Sequence, residues 1–216
     1  MLVENLTVPF DRRMWQEAQT LREGGYQVAV ICPKGGPWRN GYENLEGVHI
    51  YRYAPPPEAR GKLAYVWEYS YSWAATALLS LVVFARHGFD IIHTANPPDI
   101  FFLLARLYKF LGKKFVFDQH DLCPEVFMSR FGTREGMIPR LLFLLESLSY
   151  NTADVVLATN ESYRQVAITR GRKSPECVFV VRSAPDLSKF YEVPADDSLR
   201  DGKRYLVAYL GVMAPQ

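Results

Sequence analysis

The sequence predicts an α/β fold with a parallel sheet and helices on both of its faces. Short runs rich in β-branched and aromatic residues alternate with longer stretches of helical periodicity along most of the 216 residues. Neither an internal repeat nor a low-complexity tract interrupts this alternation. With 49% hydrophobic and 22% charged residues, the chain is long and apolar enough to bury a large core.

Three strands and two helices are predicted in the first half of the chain. The first helix begins after Asp11, whose side chain suits the N-cap position, and ends at the Gly24-Gly25 pair. A long, aromatic-rich helix over residues 63–87 follows a proline-rich turn and is closed by Gly88. The three predicted strands are residues 1–4, 26–33 and 47–53.

The second half continues to alternate strand and helix. Residues 90–93 are predicted as a buried strand, after which Asn96 caps a helix that has Pro97 at its first position and stops at Gly112. Residues 121–136 are predicted to be a loop. The remaining predicted strands are 113–119, 153–159 and 177–181, and the remaining predicted helices are 138–150 and 161–170.

The end of the chain differs from the rest. Residues 182–203 are polar and contain proline, as linkers often do, whereas residues 204–216 form another apolar run of β type. We therefore predict an N-terminal domain over residues 1–185, a linker over residues 186–203, and the first strand of a truncated second α/β domain over residues 204–216.

Charge, cysteine content and hydropathy narrow the class of protein. The net charge of +2 gives no reason to expect a nucleic-acid partner. Cys32, Cys123 and Cys177 are far apart and odd in number, which favours a reducing, cytoplasmic compartment. The first residues do not resemble a signal peptide, and the most apolar stretch, 73–85, is shorter than the roughly 20 residues that span a bilayer. We predict that this stretch is a buried helix.

Polar side chains follow three predicted strands, at the sheet edge where open α/β folds bind ligands. These groups are Glu4, Asn5 and Thr7; His93, Thr94 and Asn96; and Gln119, His120 and Asp121. His120 is the strongest candidate, because an imidazole at a strand end can orient or transfer a proton near neutral pH. A turn residue bonded to Asp121 is an equally simple interpretation of the same position.

Simpler interpretations also exist for the other polar residues. His93 directly follows apolar strand residues and is as readily explained as a satisfied core histidine. Asn96 and Asp99 fit the chemistry of a helix start. Arg12 and Arg13 lie in the first turn of a helix, where free backbone N–H groups favour a phosphate, although both arginines can also lie on the outer face.

Three kinds of catalytic centre are not supported by the sequence. The four histidines are dispersed without metal-ligand spacing. No G-x-G-x-x-G fingerprint follows the first strand, and no G-x-S-x-G elbow is present. We therefore expect no metal, no nicotinamide cofactor and no serine triad.

Five segments occur in a fixed order along nearly the whole chain: VPFDRRMWQEAQTLREGGYQVAVICP, FDIIHTANPPD, FVFDQHDLCPE, ADVVLATNES and VRSAPDLSKF. Together they resemble the N-terminal domain of family 4 (group 1) glycosyltransferases of the GT-B fold. The resemblance implies a Rossmann-like parallel sheet with helices on both faces, forming the N-terminal half of that fold. The glycine-rich turn that many members have after the first strand is replaced here by NLTVPF.

The resemblance implies a retaining, metal-independent transfer of a sugar from a nucleotide-sugar donor to an acceptor hydroxyl. This chain would shape the acceptor side of the cleft, in the synthesis of a cell-surface polysaccharide, lipopolysaccharide or glycolipid. The family's strand-end histidine matches His120, which is then expected to face the transferred sugar. We predict His120 and Asp121 as catalytic residues, and as substrate-binding residues Asn5, Thr7, Arg12, Arg13, His93, Asn96 and Glu125.

Alternatives remain open at this point. A nucleotide-sugar epimerase or a phosphorylase of the same fold fits the resemblance, and so does a non-catalytic module that binds a glycan or a protein. The expected partners are a nucleotide sugar and a glycan or lipid-linked acceptor. A lipid-linked acceptor would reach the protein at the inner face of a membrane. A basic and aromatic segment could contact that membrane, although packing inside the domain explains aromatic residues equally well. That segment comprises Arg60, Lys62, Tyr65, Trp67, Tyr69, Tyr71 and Trp73.

Overall fold

A computed structural model describes residues 1–56, 62–132, 134–185 and 191–209, except for the side chains of residues 62–65. The strands in these ranges are β1 (Ala29–Pro33), β2 (Tyr42–Leu45), β3 (Val48–Tyr53), β4 (Ile91–Ala95), β5 (Lys114–Gln119), β6 (Val155–Ala158) and β7 (Val178–Val180). The α-helices are α1 (Arg12–Glu23), α2 (Lys62–His87), α3 (Phe102–Lys109), α4 (Cys123–Phe131), α5 (Met137–Thr152) and α6 (Glu161–Thr169).

The strands form two groups whose order is β2-β3-β1 and β4-β5-β6-β7. In the described ranges every pair of named strands is parallel except β2 and β3, which are antiparallel. Parallel pairs need crossover connections, which helices supply between β4, β5, β6 and β7, whereas β1 is connected to β3 through β2. The predicted α/β fold with a parallel sheet is therefore confirmed.

Leu2 joins the two groups of strands. It forms parallel bridges to Ile31 of β1 and to Thr94 of β4. Its N–H donates to the carbonyl of His93 over 2.8 Å, and its own carbonyl accepts from the N–H of Ala95 over 3.1 Å. The predicted first strand, residues 1–4, is thus reduced to one bridging residue, which nevertheless makes the sheet continuous.

Helices cover both faces of the sheet, as predicted. Along β1, Ile31 packs in one buried cluster of apolar residues, whereas its neighbours Val30 and Cys32 pack in another. Because successive strand residues point to opposite faces, the two clusters lie on opposite sides of the sheet. Met14 of α1 belongs to the cluster of Val30, and Val83 of α2 belongs to the cluster of Ile31.

The start and end of α1 follow the sequence signals. The Asp11 side chain accepts a hydrogen bond from the N–H of Met14 over 3.1 Å, which satisfies one of the free donors in the first turn. At the other end the N–H of Gly24 donates to the carbonyl of Thr20 over 2.9 Å. The cap fixes the first turn of α1, which carries Arg12 and Arg13.

The predicted start of the helix after β4 is wrong. Asn96 does not cap it, and α3 begins at Phe102. Asn96 and Pro97 are each followed by a proline, and a residue before proline is disfavoured in helical conformation. The segment between β4 and α3 therefore remains a loop.

Two further elements differ from the prediction. Residues 121–136 contain α4, which has Pro124 in its first turn and ends at Gly132, with a φ of 64°. Strand β2 was not predicted, because only four residues form it and they alternate between exposed and half-buried positions at the edge of the sheet. Helix α4 carries Glu125, one of the predicted binding residues.

Residues 1–182 and 183–216 form two separate units. In the second unit a 3-10 helix forms at Asp197–Arg200, and the preceding Asp196 accepts from the N–H of Ser198 over 3.0 Å. Residues 204–209 are not in a strand, and 210–216 lie outside the described residues. The predicted strand over 204–216 is thus absent from its described part, while the predicted domain boundaries stay predictions.

Candidate active site

Five ionisable side chains meet beside the carboxyl ends of β4 and β5. The two strands pair in parallel, with Ala95 opposite Asp118 at their ends. Helix α1 contributes two of the side chains, and the strands with the residue after β5 contribute three. We call the group the Asp118 cluster; its members are Arg13, Glu17, His93, Asp118 and His120.

Asp118 lies at the centre of the cluster, and its side chain is completely buried. Nη2 of Arg13 donates to its Oδ1 over 2.8 Å, and Nε2 of His120 lies 2.7 Å from its Oδ2. Burial alone acts to raise the pKa of Asp118, but the hydrogen bonds and charges of His120 and His93 outweigh it and hold the pKa well below the usual range. Asp118 is therefore an ionised carboxylate inside the domain.

Arg13 connects the cluster to the far edge of the sheet. Its Nη2 also lies 3.1 Å from Oε1 of Glu17, and its Nη1 donates over 2.7 Å to the carbonyl of Val181, directly after β7. Only 10% of the side chain is exposed. This guanidinium is engaged inside the domain, which argues against the phosphate contact predicted for Arg13.

Glu17 and His93 form the inner side of the cluster. Nε2 of His93 lies 3.4 Å from Oε2 of Glu17 and 3.5 Å from Oδ2 of Asp118. Among the described residues, neither carboxylate oxygen of Glu17 nor Nε2 of His93 has a well-aligned hydrogen bond. Burial raises the pKa of Glu17 to about 8, and the nearby charge of Asp118 adds to this effect despite Arg13. Glu17 therefore holds a proton at neutral pH.

His120 is the most accessible member of the cluster, with 19% of its side chain exposed. Its backbone N–H donates to Oδ1 of Asn96 over 2.7 Å, while Nε2 faces Asp118. The ring is thus held at the buried carboxylate two residues earlier. The sequence-based alternative of a turn residue bonded to Asp121 names the wrong aspartate.

Asn96 is a buried anchor for the loop after β5. Its Oδ1 accepts from the N–H groups of both His120 and Asp121, over 2.7 and 3.1 Å. Its Nδ2 donates to Oδ1 of Asp99 and to the carbonyl of Asp121, each over 2.8 Å. Asn96 is only 2% exposed and shapes the site, while its predicted substrate contact stays a prediction. Asp121, the second predicted catalytic residue, follows His120 in a half-buried position.

The loop after the first bridging residue separates the predicted binding residues Asn5 and Thr7. Asn5 is exposed. Thr7 is buried, and its Oγ1 accepts from Nε of Arg52 over 3.2 Å, while Nη2 of Arg52 donates to the carbonyl of Val8 over 2.7 Å. Thr7 therefore has a structural role in this loop, and its predicted substrate contact stays a prediction.

Glu4 starts the same loop from a buried position. It accepts a hydrogen bond from Oγ of Ser72 in α2 over 3.1 Å, and burial raises its pKa to about 7. The carboxyl group is thus held against a helix and not presented at the surface.

Two other predicted binding residues lie apart from the cluster. Arg12 is exposed at the start of α1, next to the half-buried Arg13. Glu125 forms an ion pair with Arg170, whose Nη2 also lies 2.6 Å from Oε1 of the buried Glu146. Because Glu125 is paired within the domain, the structure gives its predicted substrate contact no support.

Sequence reasoning missed two members of the cluster. Glu17 follows Arg13 by one helical turn, a spacing that places both side chains on the same side of α1. Asp118 near the end of β5 precedes His120, the first residue after the strand, by two positions, a spacing that favours the same face. The spacing within each pair was the signal available in the sequence. Neither spacing reveals that the pair on α1 contacts the pair at the end of β5.

The carboxylates and imidazole of Glu17, His93 and Asp118 have the chemistry of a metal site. One ligand atom from each lies within 4.8 Å of the others. However, Nη2 of Arg13 lies within about 3 Å of both carboxylates and already supplies a positive charge there. The two carboxyl groups thus share a guanidinium, and a metal ion bound between them would have to displace it.

The sequence matches the glycosyl transferase 4-like domain over residues 11–182, most of the chain. The chain belongs to this family. No curated protein sequence matches it. As a member of the family, it carries the Asp118 cluster inside the matched region.

Solved structures show the same fold. A sucrose-phosphate synthase from Thermosynechococcus elongatus is similar with a TM-score of 0.64 and 13% identity, over 93% of this chain and 48% of that one. A glycosyltransferase from Rickettsia africae is similar with a TM-score of 0.51 and 12% identity, over 88% of this chain and 45% of that one. This glycosyltransferase-like domain therefore spans about half the length of these proteins and has the fold of the N-terminal half of a GT-B enzyme.

Proposed function

We propose that this domain is the acceptor-side half of a retaining glycosyltransferase. It would transfer a sugar from a nucleotide-sugar donor to an acceptor hydroxyl in the synthesis of a cell-surface polysaccharide, lipopolysaccharide or glycolipid. The observation that carries the proposal is the position of His120, a partly exposed imidazole at the carboxyl end of β5, held by a buried carboxylate in a family of glycosyltransferase domains. Ligands of open α/β sheets bind at this edge.

His120 would act by holding the transferred sugar in the reacting geometry. Positioning of reactants lowers a barrier by several kcal/mol, about 7 to 11 in the most favourable intramolecular cases. Stabilisation of the leaving diphosphate would be supplied outside the Asp118 cluster, since Arg13 is bonded to Asp118 and Val181. We expect the other half of the enzyme to provide it, and the 216 residues by themselves to transfer little sugar.

The transfer is proposed to need no metal. Support comes from Arg13, which places a fixed positive charge between the carboxylates that would otherwise bind a cation. Removal of divalent ions with a chelator is expected to leave the rate of transfer unchanged. A loss of activity that added Mg²⁺ or Mn²⁺ restores would contradict this part of the proposal.

The experiment uses a protein that carries both halves of the enzyme. Nucleotide release is measured with a panel of UDP-, GDP- and ADP-sugars, for the wild type and for His120→Ala, and the anomeric configuration of any glycoside is read by NMR. We expect one preferred donor, retention, and a loss of at least about a hundredfold in the variant. His49→Ala is the matched control, because His49 is a half-buried imidazole near the start of β3, bonded to Tyr42 and remote from the carboxyl end of β5.

Each unexpected outcome has its own meaning. Full activity of His120→Ala would remove His120 from the site while leaving the family intact. An inverted product would contradict retention. A sugar phosphate or an epimerised nucleotide sugar in place of a glycoside would favour a phosphorylase or an epimerase.

We also propose that the domain works at the cytoplasmic face of a membrane, in contact with a lipid-linked acceptor. Helix α2 buries Ser72, Thr76 and Ser80 while it exposes Leu78 and Leu81. The predicted burial of the stretch 73–85 is thus wrong for this side of the helix. A helix adapted to water alone would bury its apolar residues and expose its hydroxyl groups, whereas α2 does the reverse at these positions.

Helix α3 lies beside α2 and α5 and extends the apolar surface. Tyr108 of α3 lies 2.9 Å from the Ser80 hydroxyl of α2, and Arg106 donates to Thr152 of α5 over 3.1 Å. We give the name apolar face to the exposed apolar side chains in the second half of α2, on α3 and the two residues after it, and on α5: Leu78, Leu81, Val82, Leu103, Leu107, Phe110, Leu111, Met137, Ile138, Leu141 and Leu144. Exposed arginines on the same helices, Arg86, Arg106 and Arg140, would suit anionic headgroups.

The aromatic segment predicted for membrane contact contributes less. Tyr71 and Trp73 pack against the buried core, whereas Trp67 is 56% exposed. Arg60 and the side chains of Lys62 and Tyr65 lie outside the described residues. No helix in the described ranges combines the length and apolar character needed to cross a bilayer. Contact would therefore occur through the apolar face lying on the membrane.

A further inference from the structure

We propose that Asp118 and Arg13 are positioning residues that fix the tautomer of His120, so that its Nδ1 accepts a hydrogen bond from a hydroxyl of the bound sugar. The proposal rests on the proposed function for the identity of the ligand. The tautomer itself follows from the geometry of the Asp118 cluster.

Nε2 of His120 has two competing neighbours. It lies 2.7 Å from Oδ2 of Asp118, which can only accept, and 2.9 Å from Nε of Arg13, which can only donate. One nitrogen cannot donate to the carboxylate and accept from the guanidinium in the same neutral tautomer. The arrangement of the cluster therefore decides which bond forms.

The carboxylate bond is favoured. If Nε2 carried its lone pair, that lone pair would face a buried, ionised oxygen at 2.7 Å without a proton between them. If Nε2 carries the proton, Arg13 loses little, because its Nε also lies within hydrogen-bond reach of Oδ2 of Asp118, at 3.4 Å. Charge-assisted hydrogen bonds are also the stronger kind. Neutral His120 thus has its proton on Nε2.

The remaining nitrogen of the ring is then an acceptor. Among the residues that the structure describes, Nδ1 of His120 has no hydrogen-bond partner, although the imidazole is 19% exposed. A neutral Nδ1 can receive a hydroxyl proton in a hydrogen bond, whereas the other tautomer would have to donate. The cluster therefore selects for a ligand that offers a donor at this position, as a sugar hydroxyl does.

Arg13 keeps Asp118 in place for this task. Its Nη2 bonds Oδ1 of Asp118 over 2.8 Å and its Nη1 bonds the carbonyl of Val181 over 2.7 Å, so a guanidinium that is itself anchored holds the carboxylate in its orientation. Asp118→Asn tests this arrangement. Because Arg13 requires an acceptor, the amide oxygen of the new side chain stays on Nη2. The NH2 group of that amide then turns towards His120. Nε2 must then accept, and the ring changes to the Nδ1–H tautomer.

The experiment is a long-range ¹H–¹⁵N NMR spectrum of the histidine rings in the 216-residue chain, which has four histidines. His120→Gln identifies the signal of His120. We expect the Nε2–H tautomer in the wild type and the Nδ1–H tautomer in Asp118→Asn. Asp154→Asn is the matched control, because Asp154 also accepts a backbone hydrogen bond beside β5, from Phe115, and does not contact His120. It should leave the signal of His120 unchanged.

The outcomes are decisive in either direction. A wild-type His120 in the Nδ1–H tautomer would overturn the proposal even if Asp118→Asn does not fold. An unchanged tautomer in folded Asp118→Asn would overturn the role of Asp118. In the two-domain enzyme Asp118→Asn should lower kcat at least tenfold with a smaller effect on KM. If His120→Ala is fully active while the tautomers are as expected, the proposed role of His120 in sugar transfer fails and the geometry stands.

Discussion

Nη2 of Arg13 donates to Oδ1 of the fully buried Asp118 over 2.8 Å, across 105 positions of sequence. The bond joins the second residue of α1 to the penultimate residue of β5. It therefore couples the first helix of the domain to the strand that presents His120. The stability of the domain and the chemistry of its site depend on the same two side chains.

Removal of Arg13 is expected to destabilise the domain strongly. Arg13→Met keeps the length of the side chain but leaves Asp118 as a buried charge without its guanidinium, which typically costs about 3 to 5 kcal/mol. Arg12→Met is the matched control, because Arg12 is exposed on the same turn, and it should change the free energy of unfolding by less than about 0.5 kcal/mol. Urea unfolding of both variants measures the difference. Equal effects would show that the buried pair does not stabilise the fold.

Glu17 is expected to make the stability of the domain fall as pH rises. Its pKa is about 8 in the folded protein, against an ordinary value of 4.5. The folded state thus binds a proton that the unfolded state releases, and the resulting stability is present below pH 4.5 and is lost as pH rises through about 8. Glu17→Gln cannot release this proton while it keeps an acceptor for Arg13.

The measurement compares the free energy of unfolding of the wild type and of Glu17→Gln from about pH 5 to about pH 8. We expect the variant to gain roughly 3 to 4 kcal/mol relative to the wild type over this range. Glu4 and Glu146, whose pKa values burial also raises to about 7, titrate in both proteins and cancel in the difference. Glu23→Gln, at the exposed end of α1, should show no such trend. Parallel curves for Glu17→Gln and the wild type would contradict a protonated Glu17.

The fold was largely predictable because its signals are local. The Asp11 cap and the apolar β-branched strands depend on neighbouring residues, and these predictions are confirmed. Helix α4 and the late start of α3 were missed, because cysteine, proline and asparagine there resembled turn chemistry. Local signals also misassigned Asn96, whose partners lie 25 residues away after β5.

The site was predictable only in part, because its chemistry depends on long-range pairing. His120 could be singled out from its position after a strand, which fixes the sheet edge at which it lies. The partner of its ring, Asp118, and the two residues of α1 behind it become visible only when β5 packs against α1. The same packing reassigns Arg13 from a predicted phosphate ligand to an internal cation, a change that no local pattern contains.

Gly171 is expected to be required for steric reasons. A Cβ atom on Gly171 would lie 2.5 Å from Cδ2 of Tyr150 and 2.6 Å from the carbonyl oxygen of Ala167. Tyr150 is completely buried, so the ring cannot move aside without disturbing the core. Gly171→Ala should therefore cost about 2 to 3 kcal/mol.

Gly132 offers the comparison for that variant. It adopts a φ of 64° after α4, and a Cβ atom added there would meet no described atom within 4 Å, so Gly132→Ala meets only the backbone cost of about 1 kcal/mol. Thermal unfolding of the two variants separates the steric from the conformational contribution. A smaller loss for Gly171→Ala than for Gly132→Ala would show that Tyr150 yields more easily than its burial implies.

The apolar face predicts binding to vesicles. Leu107 on α3 is 59% exposed and Phe110 directly after α3 is 87% exposed, and burial of such side chains in a bilayer interface contributes roughly 1.5 to 3 kcal/mol each. The double variant Leu107→Ser, Phe110→Ser should therefore sediment at least about tenfold less with vesicles that contain anionic lipid. Tyr26→Ser is the matched control, since Tyr26 is 56% exposed after α1, away from this face.

The wild type should bind anionic vesicles more strongly than neutral ones, because the exposed arginines favour negative headgroups. Absence of wild-type binding to either kind, or equal loss in Tyr26→Ser, would remove the membrane from the proposal and leave the apolar face as a surface for another protein.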